Sequence, residues 1–223
     1  MNRQEVLAAV APHRRRALGR RRLSDVVSRG FDILVALAAL VCASPVLLAA
    51  MAGIVASDPG PVFFRQVRIG RDGRPFRMIK LRSMYRDAEA RKQALVAANV
   101  HGAAGVTFKM RNDPRIFPVG RLIRRFSIDE LPQFWNILMG DMAVVGPRPA
   151  VPAEVARYTP FERQRLAVKP GLTCFWQVQG RADIPFDRQV LLDLDYVHQR
   201  GLGIDIGLVF KTVPAVLGAK GAY

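Results

Sequence analysis

The sequence predicts an α/β protein, mainly helical with a small β-hairpin or sheet, held at a membrane by an N-terminal re-entrant helix and by interfacial amphipathic helices. Three observations predict this. An uncharged run of 25 residues, 33–57, lies between Asp32 and Asp58. Two strand-like runs, 62–69 and 76–81, flank Asp72-Gly73, a hairpin turn signal. Most of the remaining segments read as helices, among them an amphipathic one, 115–126, with basic residues at its end.

The composition supports one domain with a sizeable core, since 50% of the 223 residues are apolar. The 34 basic and 18 acidic residues give a formal net charge of +16, which calls for an anionic partner such as nucleic acid, phospholipid headgroups or phosphorylated substrates. Cys42 and Cys174 sit in different contexts and suggest no disulfide framework. His13, His101 and His198 have no metal-ligand spacing, which argues against zinc or haem. Neither a Walker-type loop nor a GxGxxG string is present, so any nucleotide must be held by arginines and loops.

The chain divides into a basic segment, 1–28, a membrane helix, 29–58, and a domain, 59–223, lying on the membrane face. A straight helix over the uncharged run would reach about 37 Å, more than the hydrocarbon thickness of about 30 Å. Pro45, after Ser44, divides it into two arms, because proline removes a hydrogen bond and clashes with the preceding turn. The Ser44 hydroxyl is a candidate partner for the freed backbone. Arginines crowd both flanks, from Arg14 to Arg29 and from Arg65 to Arg82. Positive charge marks the cytoplasmic side, so both ends on that side describe a re-entrant helix. A spanning helix with a proline kink is the alternative.

Beyond the hairpin, residues 85–98 read as a polar helix and 99–107 as a loop. Residues 115–126 read as an amphipathic helix, and 130–139 as another. The stretch 143–152 is rigid and proline-rich, and 153–167 reads as a polar helix. Residues 169–181 read as turn, strand and loop, and 186–199 as a helix. The apolar segment 204–217, interrupted by Pro214, suits either a membrane interface or the cover of a core.

The densest cluster of charged and apolar residues is RLIRRFSIDELPQFWNILMGDMAVVGPRP, 121–149. Ser127 and Glu130 have capping-box spacing, but Pro132 would then fall inside the helix. Asp129 as the cap places Pro132 in the first turn, where it is tolerated. Either way two carboxylates, Asp129 and Glu130, lie near a helix start among arginines. Such a carboxylate is a structural cap, a nucleophile toward phosphorus or an anchor for Mg2+.

The string SIDELPQFWNILMGDMAVVGPRP, with KLRSM at 80–84 upstream and KPGLTCFWQVQGR at 169–181 downstream, resembles the bacterial sugar transferases, the monotopic phosphoglycosyl transferases. The resemblance implies an enzyme that transfers a sugar 1-phosphate from a UDP-sugar to polyprenol (undecaprenyl) phosphate. It implies an aspartyl-phosphosugar intermediate, release of UMP and a requirement for Mg2+. Asp129 matches the nucleophile and metal contact, and Glu130 completes the dyad. Arg124 and Arg181 match phosphate-binding arginines, with Arg148, Lys80 and Arg82 as further anion contacts. Ser44-Pro45 matches the family's membrane break. Family members often read Thr-Gly where this chain has Thr173-Cys174. The implied place is the cytoplasmic face of the bacterial inner membrane among anionic lipids, in the first membrane step of exopolysaccharide, capsule or O-antigen synthesis. A homodimer remains open, and no nucleic-acid partner is implied. The competing readings are a membrane-anchored nucleic-acid-binding protein and a non-catalytic assembly scaffold.

Overall fold

The structure is a computed structural model that describes residues 17–92, 113–180 and 184–218. Its first element, α1 (Ala17–Ser57), is a single 41-residue helix. From Asp25 to Ser57 it is long and apolar enough to cross a membrane. Asp32, Ala36, Ala50 and Ile54 form a buried stripe, while Leu34, Val41, Val46, Leu48 and Val55 are exposed. Apolar residues on every face suit a helix surrounded partly by protein and partly by lipid.

The two arms on either side of Ser44-Pro45 belong to one continuous helix with the proline inside it. Pro45 has no N–H for the Val41 carbonyl, and the Ser44 hydroxyl donates to that same carbonyl at 2.8 Å. The freed acceptor is thereby satisfied and the helix continues.

Both halves of α1 pack on the same body. Ala36 joins a core with Met78, Phe134, Ile137, Met142, Val144, Tyr196 and Leu208. Ala50 and Ile54 join a second core with Leu81, Phe117 and Ile123. Polar ties fasten both ends. Arg29 donates to the Ile137 and Leu138 carbonyls at 2.6 and 2.7 Å, Asp32 accepts the Val144 N–H at 2.8 Å, and Arg82 pairs with Asp58.

The hairpin forms as expected. Strands β1 (Phe63–Ile69) and β2 (Pro75–Leu81) pair antiparallel, closing at Ile69 and Pro75. Asp72 and Gly73 adopt left-handed φ values of 56° and 78°, a conformation that Asp tolerates and glycine favours. A short helix α2 (Ala88–Lys92) follows. Residues 85–87, expected as the start of the 85–98 helix, form a turn ahead of α2, and 93–98 and the 99–107 loop lie outside the described residues.

Helix α3 (Pro118–Arg125) opens on a proline at its first position, where the missing N–H is harmless. A 3-10 turn, Ile128–Glu130, leads to α4 (Gln133–Met139). Strands β3 (Ala143–Val145) and β4 (Gly171–Thr173) form a parallel pair that the sequence did not announce. A Cβ on Gly171 would sit 2.0 Å from the Gly146 nitrogen, so this approach requires glycine.

The single helix expected over 153–167 is two pieces, α5 (Pro152–Ala156) and a 3-10 turn, Glu162–Ala167. Pro160 lies between them, and a proline turns the residue before it away from helix. The loop expected after β4 is instead a short helix, α6 (Phe175–Gln179). The expected helix at 186–199 is α7 (Phe186–Gln199), and the apolar C-terminal segment is α8 (Leu202–Leu217), with Pro214 inside. The fold is thus mainly helical with two small sheets.

Candidate active site

The chain reverses after α3 through Ser127, which holds a left-handed φ of 55°. Non-glycine residues rarely adopt this conformation. The reversal is fixed by Ser127 N–H donating to the Arg124 carbonyl at 3.0 Å and Glu130 N–H donating to the Ser127 carbonyl at 3.1 Å. It places Asp129 and Glu130 on their own 3-10 turn, ahead of α4. Pro132 occupies the cap position of α4, and neither Ser127 nor Asp129 caps a helix with its side chain. The capping role considered for both residues is therefore corrected. The physical reason is the left-handed turn at Ser127, which separates the dyad from the helix it precedes.

Asp129 is buried and lines a cavity of about 610 Å3 together with Glu130, Lys80, Arg124 and Arg148. Lys80 reaches across from β2, with its Nζ 2.6 Å from Glu130 Oε1 and 3.8 Å from Asp129 Oδ2. Asn136 locks that strand to α4. Its amide donates to the Arg77 carbonyl at 2.8 Å and accepts the Ile79 N–H at 3.0 Å, so the stretch of β2 just before Lys80 is fixed.

Burial pushes the Asp129 carboxyl above its usual range, Lys80 and Arg124 draw it down, and Glu130 raises it. The carboxylate is poorly solvated and close to cations, which suits a nucleophile toward a phosphate.

Most of the expected site residues converge. Lys80, Arg124, Asp129, Glu130 and Arg148 share the cavity. Arg82 does not. It turns to Asp58 and the Asp58 carbonyl and ties the end of α1 to β2. Alternation along β2 explains this partly: Lys80 faces the dyad, and the residue two further on has already left the strand. Arg181 lies outside the described residues.

The structure adds residues that the sequence reading missed. Arg68 is buried beneath Arg148, donating to Gln66 Oε1 at 2.7 Å and to the Pro149 carbonyl at 2.9 Å. Burial and the Arg148 charge lower its pKa to about 10. Gln177 borders the dyad side of the cavity, and Thr173 joins the lining. No local pattern marked Arg68, since Arg65 and Arg68 lie three apart on opposite faces of β1. Nothing local marked Gln177, whose place depends on the β3–β4 pairing.

The donor set fits a magnesium ion. Mg2+ takes hard oxygen ligands and is usually bound by one or two carboxylates, with substrate phosphates and water completing the shell. Asp129 and Glu130 supply such carboxylates beside an anion-binding surface. Among the described residues there is no group of three or more His, Cys, Asp or Glu that would form an all-protein cage.

Buried Asp129 and half-buried Glu130, flanked by Lys80 and Arg124, thus line a cavity beside the middle of α1, an arrangement suited to binding a phosphorylated substrate. The sequence model of the bacterial sugar transferases matches residues 23–219, and the chain belongs to that family. It is 39% identical to the exopolysaccharide production protein ExoY of Rhizobium meliloti over 205 residues, covering 91% of each chain. It is 42% identical to the undecaprenyl-phosphate galactose phosphotransferase of Salmonella typhimurium, covering 91% of this chain and 43% of that one. Identity to the UDP-glucose:undecaprenyl-phosphate glucose-1-phosphate transferase of Xanthomonas campestris is 40%, over 86% of this chain and 39% of the relative.

Proposed function

We propose that this enzyme transfers a sugar 1-phosphate from a UDP-sugar to undecaprenyl phosphate in two steps that share Asp129. In the first, an Asp129 carboxylate oxygen attacks the β-phosphorus. The bond from that phosphorus to the bridging oxygen breaks, UMP departs with the electron pair, and the sugar phosphate stays on Asp129. In the second, a phosphate oxygen of undecaprenyl phosphate attacks the same phosphorus. The bond to Asp129 breaks, the carboxylate is regenerated, and the lipid carries a diphosphate-linked sugar.

The observation that carries this reading is the placement of buried Asp129 in a cavity with Lys80, Arg124 and Arg148 on one side and the membrane helix on the other. Lys80 and the arginines hold the diphosphate and balance the charge that builds at the leaving oxygen. Glu130, paired with Lys80, fixes the ammonium between the two carboxylates and assists the incoming lipid phosphate. Asp129, with Glu130, would hold Mg2+, which when bound would neutralise diphosphate charge. Arg181 serves as an additional phosphate contact.

A re-entrant α1 belongs to this reading. Its uncharged stretch is fastened to one body at both limits, at Arg29 and Asp32 and again at Asp58. A helix that left its domain on the far side of a bilayer would not be fastened so at both ends. The site then lies at the cytoplasmic face of the inner membrane, where the arginine-rich flanks meet anionic headgroups. The names of the ExoY relatives favour exopolysaccharide production as the setting.

The test uses purified protein with a panel of UDP-sugars, Mg2+ and undecaprenyl phosphate. UMP is released by the wild type, and Asp129→Asn abolishes release while remaining folded. Wild-type turnover by that variant contradicts the covalent route. For topology, a single cysteine introduced in the 58–65 stretch reacts with an impermeant reagent only from the cytoplasmic side; labelling only from the periplasm contradicts the re-entrant helix.

A further inference from the structure

The cavity has a second wall that the chemistry above does not use. Val35, Ala39, Cys42 and Ala43 of α1 face Val209, Val213, Ala215 and Val216 of α8 across it. The charged lining residues are all buried or half-buried, whereas Cys42 and Val213 line the cavity and are exposed, Val213 at 57%. An apolar mouth therefore lies between the two helices. Around it the surface is also apolar: Val41 on α1 and Phe210 on α8 are 72% and 73% exposed. An apolar mouth within an apolar surface faces lipid more favourably than water.

Helix α8 is a fixed wall rather than a loose cover. Leu208 is buried in the main core. The Tyr196 hydroxyl links it to the body, lying 2.9 Å from Asp205 Oδ1 and 3.0 Å from the Val145 carbonyl. The Thr173 and Thr212 hydroxyls meet at 2.7 Å, with Thr212 donating to the Leu208 carbonyl. That contact stands where the apolar wall joins the charged floor.

We propose that the slot between α1 and α8 holds the phosphate-proximal part of the acceptor's isoprenoid chain, with the remaining chain passing out through the Cys42–Val213 mouth into the bilayer. This rests on the reading that the acceptor is a polyprenyl phosphate. The cavity is of the size that encloses one small-molecule ligand, too small for a whole polyprenyl chain beside a nucleotide sugar. Its two kinds of wall match the two halves of the acceptor: a phosphate among Lys80, Arg124 and Arg148, and a branched hydrocarbon between two apolar helices. The C-terminal helix is thus half of the lipid site.

Cys42 is a native probe, because the other cysteine, Cys174, is fully buried. In full-length protein in lipid nanodiscs, N-ethylmaleimide alkylates Cys42, and undecaprenyl phosphate slows that reaction by about tenfold at saturation, while UDP-sugar does not. Independently, Cys42→Trp and Ala215→Phe narrow the slot from opposite sides. Each lowers kcat/KM for undecaprenyl phosphate by about tenfold or more, with a far smaller effect on the UMP burst from UDP-sugar alone. The retained burst shows that the variants fold. Alkylation indifferent to the lipid, or variants that lose burst and lipid turnover in proportion, overturns the slot. If the wild type releases no UMP from any UDP-sugar, the proposed function itself falls and the inference with it. A wild-type burst with unaltered lipid kinetics in both variants removes the slot alone.

Discussion

Two buried charge clusters stand in this molecule, and they differ in one respect that decides their roles. Arg165 and Asp193 pair in the interior, at 4% and 0% exposure, and Arg165 also donates to the Tyr158 hydroxyl oxygen at 3.1 Å. One cation meets one anion, and aromatic rings of Tyr158 and Phe186 close over the guanidinium. Burial works against the Arg165 charge, but Asp193 and Tyr158 more than offset it and hold its pKa above the ordinary value. The other cluster, Lys80 with Asp129 and Glu130, is open on one side. Lys80 lies between the two carboxylates, and a cavity that Arg124 and Arg148 also line opens in front of them. An enclosed pair has no access for a ligand; a charged set at a cavity wall can take up a charged substrate. The contrast marks the cavity cluster as the candidate site.

Substitutions in the two clusters should separate activity from stability. Asp129→Asn is expected to lower UMP release by about a thousandfold or more, with the thermal unfolding midpoint little changed. Arg165→Leu should do the reverse. It leaves the buried Asp193 carboxyl without its cation and hydrogen-bond partner, costing about 3–5 kcal/mol of stability, to be measured by denaturant unfolding in detergent. Equal loss of stability in both variants would erase the distinction between the clusters.

Lys80→Met is the next smaller effect. It removes a cation from the dyad and should lower the UMP burst rate by about a hundredfold. The pH profile carries a sign. Asp129 must be ionised to attack, and burial already places its pKa above the usual carboxylate range. Activity therefore falls on the acid side at a higher pH than for an exposed aspartate. Lys80 lowers that pKa, so its removal should move the acid limb further upward. A limb that stays put would show that the lysine acts on the substrate phosphates alone. Smallest is Ser44→Ala. It leaves the Val41 carbonyl without the hydroxyl, costing about 1 kcal/mol, seen as a lower unfolding midpoint with the burst retained.

Legibility in the sequence followed the range of the interactions. The hairpin was readable because Asp72-Gly73 and the alternation around it are local, and α7 because its periodicity is complete within 14 residues. Lys80, Arg124, Asp129, Glu130 and Arg148 were nameable from charge and from family resemblance, although 68 residues separate the first and last of them. What stayed hidden depends on distant partners. The dyad's 3-10 turn follows from a left-handed Ser127 that no propensity favours. Arg82 was claimed for phosphate, but Asp58 competes for it. Gln177 reaches the cavity only because β3 and β4 pair across two glycines. The uninterrupted α1 turns on one hydroxyl meeting one carbonyl, a candidate that the sequence offered while also suggesting two arms.

The central claim is that Asp129 itself receives the sugar phosphate, and its most direct test is a trapping measurement. Wild-type enzyme is mixed with UDP-sugar and Mg2+ in the absence of any lipid acceptor, quenched, and digested for mass spectrometry. The expected result is UMP in proportion to enzyme and a sugar-phosphate adduct on the peptide containing Asp129, discharged when undecaprenyl phosphate is added. UMP that forms only when the lipid is present, with Asp129 unmodified throughout, would contradict it.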